Sequence, residues 1–432
     1  MTQEITLLIG AIDAKIVQEA LEKKLARRKK RRKKVLRFFS VAAALVILFL
    51  FFAPNMTSAF GSNGQASDAE RDLARNIDDI LNELNLDELE RFLQGFDQSQ
   101  WGAFGSRNAY QTIRAVLSGD FSFDHGNLFL FVLEAAGLSI LGFLPLLLAV
   151  LSIAIAMNLL QSMKGKMSSE SVSTIISFVG VALVGTLIAI QVMSLTNAAR
   201  GMVQSLRIQM TVVFPIMLTL MAASGGGASA GVYQPAVAIL SSGMMEILVA
   251  VVLPLFILAN VFTMVGNLSE TVRLKKMSSF SMTSCKWVLG TAFFLFMAFL
   301  SVQGITASLH DGVSIRTARF AISKYVPIIG GSLSEGFNLI MAGSVLVKNA
   351  VGFMAVIMLF VSVLPMVLNL AVFNLTLHLA GAIAEPLGDK RISSILSGIA
   401  KNMGILVAVL LGAIFLYFIF LLLVIATGNP AL

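Results

Sequence analysis

Residues 128–160 read LFLFVLEAAGLSILGFLPLLLAVLSIAIAMNLL, an apolar run whose exceptions include one acid, Glu134, and one proline, Pro145. A helix needs about 20 apolar residues to cross the hydrocarbon core of a bilayer, so this run is longer than one straight span. Backbone groups inside lipid must be hydrogen-bonded within their own segment, and a helix achieves this. The run therefore predicts membrane-spanning helix that Pro145 divides.

Similar apolar stretches fill most of the remaining chain. Hydrophobic residues make up 57% of the 432 residues and charged residues 13%, which is well below the charged fraction of a soluble domain. Further spans are predicted at residues 172–193, 236–265, 287–309, 351–379 and 404–426, with shorter pieces interrupted by Gly and Pro at 210–223 and 326–343. The sequence predicts an all-α polytopic membrane protein with about six to eight transmembrane helices and re-entrant or half-helix segments.

Charge divides the chain into regions. Residues 1–37 carry 12 Lys or Arg and 4 Asp or Glu, and the apolar segment 38–59 follows directly. Basic residues beside an apolar segment stay in the cytoplasm, so 1–37 is predicted to be a cytoplasmic leader and 38–59 a signal peptide or a signal anchor. Residues 60–127 carry 5 basic and 12 acidic residues and are predicted to form an acidic, extracytoplasmic helical region. Residues 128–432 then form the polytopic membrane core.

The acidic region contains apolar residues at mostly helical spacing, with acids on the other face. These apolar positions are Ile77, Ile80, Leu81, Leu84, Leu86, Leu89, Phe92 and Leu93. Two interpretations are open. One is a small helical cap that packs on the membrane core, and the other is a docking surface for a partner.

A weak internal repeat of about 110 residues is predicted from three Leu-Pro pairs. The prolines Pro145, Pro254 and Pro365 are 109 and 111 residues apart, and each lies in an apolar span. A short basic loop ending in two serines follows each span, at Ser168-Ser169, Ser278-Ser279 and Ser393-Ser394. The alternative is chance recurrence of common residues, but several markers in one order with a nearly constant offset favour a repeat.

Two Gly-rich segments are the candidate site. The first, 214–230, reads FPIMLTLMAASGGGASA, and the second, 324–337, reads KYVPIIGGSLSEGF. Interrupted helices at membrane depth leave backbone groups unpaired, which is tolerated where they line a watery cavity or are buried in protein. Both interpretations, pore lining and close helix packing, are open. The candidate residues are Pro215, Gly225, Gly226, Gly227, Pro327, Gly330, Gly331 and Glu335.

Side chains larger than hydrogen are expected to be damaging in these segments. Leucine at Gly226 or Gly331 is therefore predicted to abolish function, whereas leucine at Gly412, in an ordinary span, is predicted to be milder.

Ionisable residues in apolar spans are a second set of candidates. Glu134 and Glu246 lie within or beside such spans, as does Glu335, and an intramembrane acid is a functional-site hypothesis by default. The alternative for each is a structural hydrogen bond to a neighbouring helix. Lys348 is expected to extend its ammonium group to an interface.

The sequence supports no catalytic, cofactor or metal site. Cys285 is the single cysteine, and His125, His310 and His378 are far apart in sequence. Gly225-Gly226-Gly227 is followed by no Lys, so it is not a phosphate-binding loop, and ATP-driven work would require a partner. The net charge of +8 is explained better by membrane orientation than by nucleic-acid binding.

The Gly-rich segments carry a resemblance. Residues from Phe214 through 233–238, YQPAVA, and again over 324–331, KYVPIIGG, resemble the signature of the stage III sporulation protein AE family. The order of parts is also similar: an N-terminal apolar segment, an acidic region, and a polytopic core. The resemblance extends over most of the chain from about residue 70 onward.

The resemblance implies a function that composition does not reveal. It implies a role in endospore formation, in an assembly of the mother-cell membrane around the forespore that resembles secretion systems and forms a channel between the two cells. The implied partners are a cytosolic ATPase, small membrane proteins, ring-forming proteins and a forespore-side partner, besides the lipid membrane and further copies of this chain in a homo-oligomer. Two other functions fit the residues: a stand-alone secondary transporter, and a scaffold that nucleates the complex.

The charge pattern predicts an orientation. With the basic leader held inside, residues 60–127 lie outside the cytoplasm and the three Ser-Ser pairs lie inside. Cysteines placed at Ser169, Ser279 and Ser394, with Cys285 replaced, should resist an impermeant thiol reagent in intact cells and react after permeabilisation. Labelling of any of them from outside would contradict this orientation.

Overall fold

In the computed structural model, the described residues are 68–96, 100, 108–119, 121, 125–162, 170–268, 274–325, 330–386 and 390–427. The predictions for the leader, 1–37, and for the apolar segment, 38–59, fall outside these residues. The described residues form helices and turns, without strands. The predicted all-α polytopic architecture is confirmed.

Three short helices lie in the acidic region: α1, Asp68–Glu83; α2, Asp87–Gln94; and α3, Ala109–Ser118. Helix α3 begins where the side chain of Asn108 accepts a hydrogen bond from the Gln111 amide, and it ends at Gly119 in the left-handed region, φ 74°. Leu81, Leu89 and Leu93 on α1 and α2 are buried. Helices α1 and α3 pack on the core helix Gly330–Ala384, and α2 packs on the core helix Glu170–Met221. The acidic region thus caps the core.

Long helices make up the core. They are α4, His125–Ser162; α5, Glu170–Met221; α6, Gly227–Ala238; α7, Met245–Ile247; α8, Leu253–Leu268; α9, Lys275–Tyr325; α10, Gly330–Ala384; and α11, Lys390–Ala426. Three π-helical turns, Ala222–Gly226, Ile239–Met244 and Leu248–Val252, connect α5 through α8. Widened turns of this kind are often found at functional sites.

Five helical stretches within the described residues are long and apolar enough to cross a membrane. They are Phe129–Leu160, Ile175–Leu268, Lys276–Gln303, Asn338–Ala384 and Arg391–Ala426. The stretch Ile175–Leu268 has 94 residues and folds back on itself at Gly225, so it supplies two arms. The repeat of about 110 residues and the re-entrant segments stay predictions.

Helix α10 lies at the centre of the core and α4 at its edge. In the most apolar window of α10, 72% of the residues are buried, against 22% in α4. Helices α4, α5, α9 and α11 all contact α10. Phe143 of α4 packs on Phe373 of α10 with ring centroids 5.1 Å apart, and Gly352 lets α10 approach Ile425 and Met217, whose side chains lie within about 3 Å of where a Cβ would be. Burial on every side makes α10 the common packing partner.

Exposed large apolar side chains are concentrated on four helices of the core, and the surface that they form is here called the apolar belt. It comprises 129–160 of α4, 175–193 of α5, 251–265 of the third π-helical turn and α8, and 277–302 of α9. Trp287 and Phe294 are 72% and 71% exposed, which a water-facing surface would not favour. The belt is therefore the surface that faces the membrane interior in this membrane protein.

Polar side chains join three helices inside the core. Asn402 of α11 donates to Asn260 Oδ1 at 3.3 Å and to Thr263 Oγ1 at 3.0 Å, both on α8. Thr263 Oγ1 lies 2.7 Å from Ser278 Oγ on α9, and Ser278 also donates to the Ala259 carbonyl. Amide and hydroxyl groups of this kind hold membrane helices together.

The prediction that the Ser-Ser pairs end loops is wrong for the two pairs that the structure describes. Ser278 and Ser279 lie in the first turn of α9, and Ser393 and Ser394 in the first turn of α11; Ser168-Ser169 falls outside the described residues. Ser394 donates to Asn267 Oδ1 at 2.8 Å and Ser393 to the Gly381 carbonyl at 3.2 Å. The serines begin the next helix and tie it to the preceding one, because hydroxyl groups near a helix start find nearby acceptors readily.

The polar cluster generates a test. Asn402→Ala removes the donor to both Asn260 and Thr263, and it should lower the free energy of unfolding by about 0.6–1.7 kcal/mol, the usual range for such bonds in membrane helices. A double-mutant cycle with Asn260→Ala, followed by unfolding in mixed micelles, measures the coupling. Ser301→Ala is the matched control, because Ser301 is exposed and donates only to the Met297 carbonyl of its own helix. Additive losses for Asn260 and Asn402 would contradict the pairing.

Candidate functional site: the glycine hairpin and its buried lysine

The first Gly-rich segment forms the tip of a helical hairpin, residues 207–246, here called the glycine hairpin. Gly225 has φ 95° and ψ −2°, in the left-handed region that costs residues with a Cβ about 1–2 kcal/mol. After it the chain runs back along α5, and Arg207 Nη1 meets Glu246 Oε2 at 3.6 Å across the two arms. This ion pair is half-exposed, so it marks the register of the arms more than it stabilises them.

The other candidates in this segment have different roles. Pro215 lies inside α5, ten residues before Gly225. It has no amide to donate to the Thr211 carbonyl, so the helix lacks one backbone hydrogen bond there. Gly226 is buried, whereas a Cβ added to Gly227 would meet nothing within 4 Å. The structure therefore requires glycine at Gly225 for backbone conformation and not at Gly227 for space.

An aromatic cluster fixes the hairpin against α11. Phe214 lies 5.5 Å from Tyr417 and 4.6 Å from Phe420 between ring centroids, and Tyr233 lies 6.1 Å from Phe420. All four rings are at most 1% exposed and meet edge to face, the arrangement that aromatic quadrupoles favour. The apolar residues of 210–223 are thus explained by burial in protein.

Lys348 of α10 lies beside this cluster and is fully buried. Its Nζ donates to the carbonyl oxygen of Thr427, at the end of α11. The Thr427 hydroxyl lies 3.2 Å from the Tyr233 hydroxyl on the return arm. The expectation that Lys348 extends to an interface is wrong: the ammonium group is held inside, where hydrogen bonds offset its desolvation.

Ser344, one turn before Lys348 on α10, is also fully buried, and its hydroxyl has no hydrogen-bond partner among the described residues. Lys348, Ser344, Tyr233 and Thr427 therefore form a polar group inside an apolar core, next to the hairpin tip. Such a group can hold an anionic or carbonyl oxygen and can fix α10, α11 and the hairpin in one arrangement.

The second Gly-rich segment is described in part. Helix α9 ends at Tyr325 and α10 begins at Gly330, so Gly331 and Glu335 lie in the first turns of α10. Pro327 falls outside the described residues. Helices α9 and α10 contact each other, and the side chains of 331–337 lie outside the part of the chain that the structure describes.

The intramembrane acids lie apart from each other. Glu246 is exposed on the hairpin and paired with Arg207, as above. Glu134 is exposed on α4 and lines a cleft of about 590 Å³ between α4, α5 and α10. Among the residues that the structure describes, no three His, Cys, Asp or Glu come close enough together to hold a metal ion.

Sequence reasoning missed the Lys348 group and the Asn402 cluster as sites. The signals were present: Lys348 interrupts an apolar run, and Asn260 and Asn402 each lie in or beside one. A single polar residue does not reveal its partner, because the partners here are 79 and 142 residues away in sequence.

Comparison with known proteins decides the family. The family model described as Stage III sporulation protein AE matches residues 108–428, most of the chain and nearly all of its helical core. The chain belongs to this family. It therefore shares the family's link to sporulation, and its apolar helices make it a membrane protein.

One curated relative of this family member is Stage III sporulation protein AE of Bacillus subtilis (strain 168). The two are 28% identical over 236 residues, which cover 54% of this chain and 58% of the relative. The match thus spans less than two thirds of the relative's length. No solved structure matches the chain.

Gly225 gives a direct test of the hairpin. Gly225→Ala forces a Cβ into the left-handed region and should lower the free energy of unfolding by about 1–2 kcal/mol. Thermal unfolding in detergent, read by circular dichroism, measures the change.

The control must be a helical glycine with open space around it. Gly412 is a poor choice, because a Cβ there would lie 2.0 Å from the Phe293 ring, so the packing does not support the expectation that leucine is milder there than at Gly226 or Gly331. Gly404 meets nothing within 4 Å, and Gly404→Ala should be neutral or stabilising. Equal unfolding midpoints for the Gly225 and Gly404 variants would contradict the conformational role of Gly225.

Proposed function

We propose that this chain is a membrane core subunit of the sporulation channel complex that connects mother cell and forespore. The family match over residues 108–428 carries the proposal. In this proposal the chain lies in the mother-cell membrane around the forespore and is required for endospore formation.

The shape of the core supports a bridging role. Helix α5 has 52 residues and is about 78 Å long, against about 30 Å for the hydrocarbon core. Its part of the apolar belt ends near Met193, and the hairpin tip lies 32 residues further on, roughly 45 Å along the helix. In the hairpin the exposed large apolar side chains are Ile208 and Ile239. In this proposal the part of α5 beyond Met193 and the glycine hairpin extend out of the lipid toward a facing membrane.

The same end of the core carries the acidic region. A Cβ at Gly343 of α10 would lie 2.5 Å from Asn76 Oδ1 and 3.1 Å from Ile80 on α1, so α1 packs on α10 close to the hairpin level. In this proposal α1–α3 and the glycine hairpin together form the extracytoplasmic face, and that face meets the ring-forming proteins and the forespore-side partner.

Energy and chemistry come from other subunits in this proposal. The chain performs no catalysis and binds no cofactor, and a cytosolic ATPase and small membrane proteins act with it. A scaffold that nucleates these subunits is the narrower form of the same function, and it is supported by the burial of 72% of the most apolar window of α10.

A second candidate function is a stand-alone secondary transporter. The observation that favours it is the polar cleft at Glu134, within the apolar belt. Transport by the isolated chain would distinguish it from a channel subunit.

The proposal is tested in a spore-forming host that lacks the chromosomal gene. A tagged copy of the chain should restore heat-resistant spores and should co-purify from sporulating cells with the ATPase and the ring proteins. The chain purified alone and placed in lipid vesicles should give no flux of amino acids, nucleotides or inorganic ions above that of empty vesicles.

Gly404→Ala serves as the structural control and should behave like the unmodified chain. Normal spore numbers without the gene would refute the requirement for sporulation. Solute flux by the chain alone, with no co-purifying subunits, would replace the channel complex by the transporter.

A further inference from the structure

The cleft at Glu134 lies between helices of the membrane core. It has a volume of about 590 Å³ and opens between α4, α5 and α10. Six polar side chains from these helices and from the acidic region line it: Gln100, Glu134, Ser139, Gln191, Ser362 and Asn369. Polar groups rarely gather in a membrane core unless something polar occupies the space.

Pro365 explains the polarity of one wall. A proline has no amide to donate, so the carbonyl of Val361, four residues earlier on α10, loses its helical partner. Gln100 Nε2, from the acidic region, donates to that carbonyl at 3.5 Å. Gln100 of the acidic region thereby closes one end of the cleft. The cleft remains open along α4.

Glu134 lies at the mouth of the cleft among lipid-facing side chains. It is exposed, and its neighbours Leu130, Leu133 and Leu138 on α4 are 59%, 57% and 64% exposed. An acid at membrane depth costs several kcal/mol unless it is paired or hydrated. No Lys, Arg or His lines the cleft as the structure describes it. The lining offers one carboxylate and several amides and hydroxyls, which complements a cation.

The same helix face is apolar and exposed among the residues that the structure describes. Helix α4 is the least buried of the five candidate spans in the described chain, with 22% of its most apolar window buried. A small soluble cation would fill the cleft and leave this apolar face to lipid. A transmembrane helix that carries a Lys or Arg would cover both, with its apolar residues on Leu133, Leu138 and Leu141 and its basic group at Glu134.

We infer that the α4 face with the Glu134 cleft binds a transmembrane helix of a partner subunit, through a basic side chain that pairs with Glu134. The inference rests on the proposed function in that it requires a membrane partner. It adds which surface binds that partner and which charge the partner carries. Gln191, Ser362 and Asn369 supply further hydrogen-bond acceptors to the basic group.

Site-specific photo-crosslinking tests the inference in sporulating cells. The photoreactive residue p-benzoylphenylalanine replaces Leu138, or Leu141 if the first variant does not accumulate, in the full chain. Mass spectrometry should identify the crosslinked peptide as a transmembrane segment of another protein that carries Lys or Arg. Glu134→Gln should reduce this product about five- to thirtyfold, because intramembrane polar contacts contribute about 1–2 kcal/mol.

A charge exchange completes the test. Glu134→Lys should abolish the crosslink, and replacing the partner's basic residue by Glu should restore it. The matched control is the same photoreactive residue at Phe294 of α9, which is 71% exposed in the apolar belt and should crosslink to lipid only.

Every other outcome overturns the inference. These outcomes are crosslinks at Leu138 to lipid alone, to a soluble protein or to a second copy of this chain, and a crosslink that Glu134→Gln leaves unchanged. If subunits still co-purify in those cases, the channel complex stands and only the α4 surface is wrong. If no subunit co-purifies, the proposed function fails as well.

Discussion

Burial of the middle of α10, residues 351–363, is the constraint on which the rest of the structure depends. In lipid every backbone amide and carbonyl must be paired within the protein, which restricts the core to helices. Helices in lipid gain little from the hydrophobic effect against each other, so close packing and polar contacts must hold them. Helix α10 offers both: Gly352 for close approach to Ile425, and Lys348 for a hydrogen bond to the end of α11.

Irregular positions in the helices lie where distant segments of the chain contact each other. Pro365 frees the Val361 carbonyl, and a glutamine from the acidic region takes it. Gly225 reverses the chain, and the two arms then enclose the aromatic cluster against α11. Each irregular backbone position is thus compensated by a contact from a distant segment. The long helices are assembled into one body by these contacts.

The surface of the core is not uniform. The apolar belt exposes many large apolar side chains, while the glycine hairpin exposes Ile208 and Ile239 and buries its aromatic rings against α11. The buried lysine and the Glu134 cleft involve different residues, so fixing of the hairpin and contact with neighbours in the membrane are separate tasks of the same helix bundle.

The sequence by itself determined the helical membrane class, because apolar runs of spanning length admit no other structure in lipid. It also determined the family, since the ordered Gly- and Pro-containing segments around Phe214 and 324–331 are sufficiently distinctive. Tertiary structure alone decided what those segments do. Gly225 and Gly227 are glycines of the same Gly-Gly-Gly run. Of these two, Gly225 has the positive φ that disfavours residues with a Cβ. Lys348, Asn402 and Gln100 acquire partners through contacts between segments that are 79, 142 and 261 residues apart. Local periodicity shows which face of a helix is apolar, but it does not show which helix packs on that face. The packing of the helices determines the hydrogen-bond partners of these polar side chains.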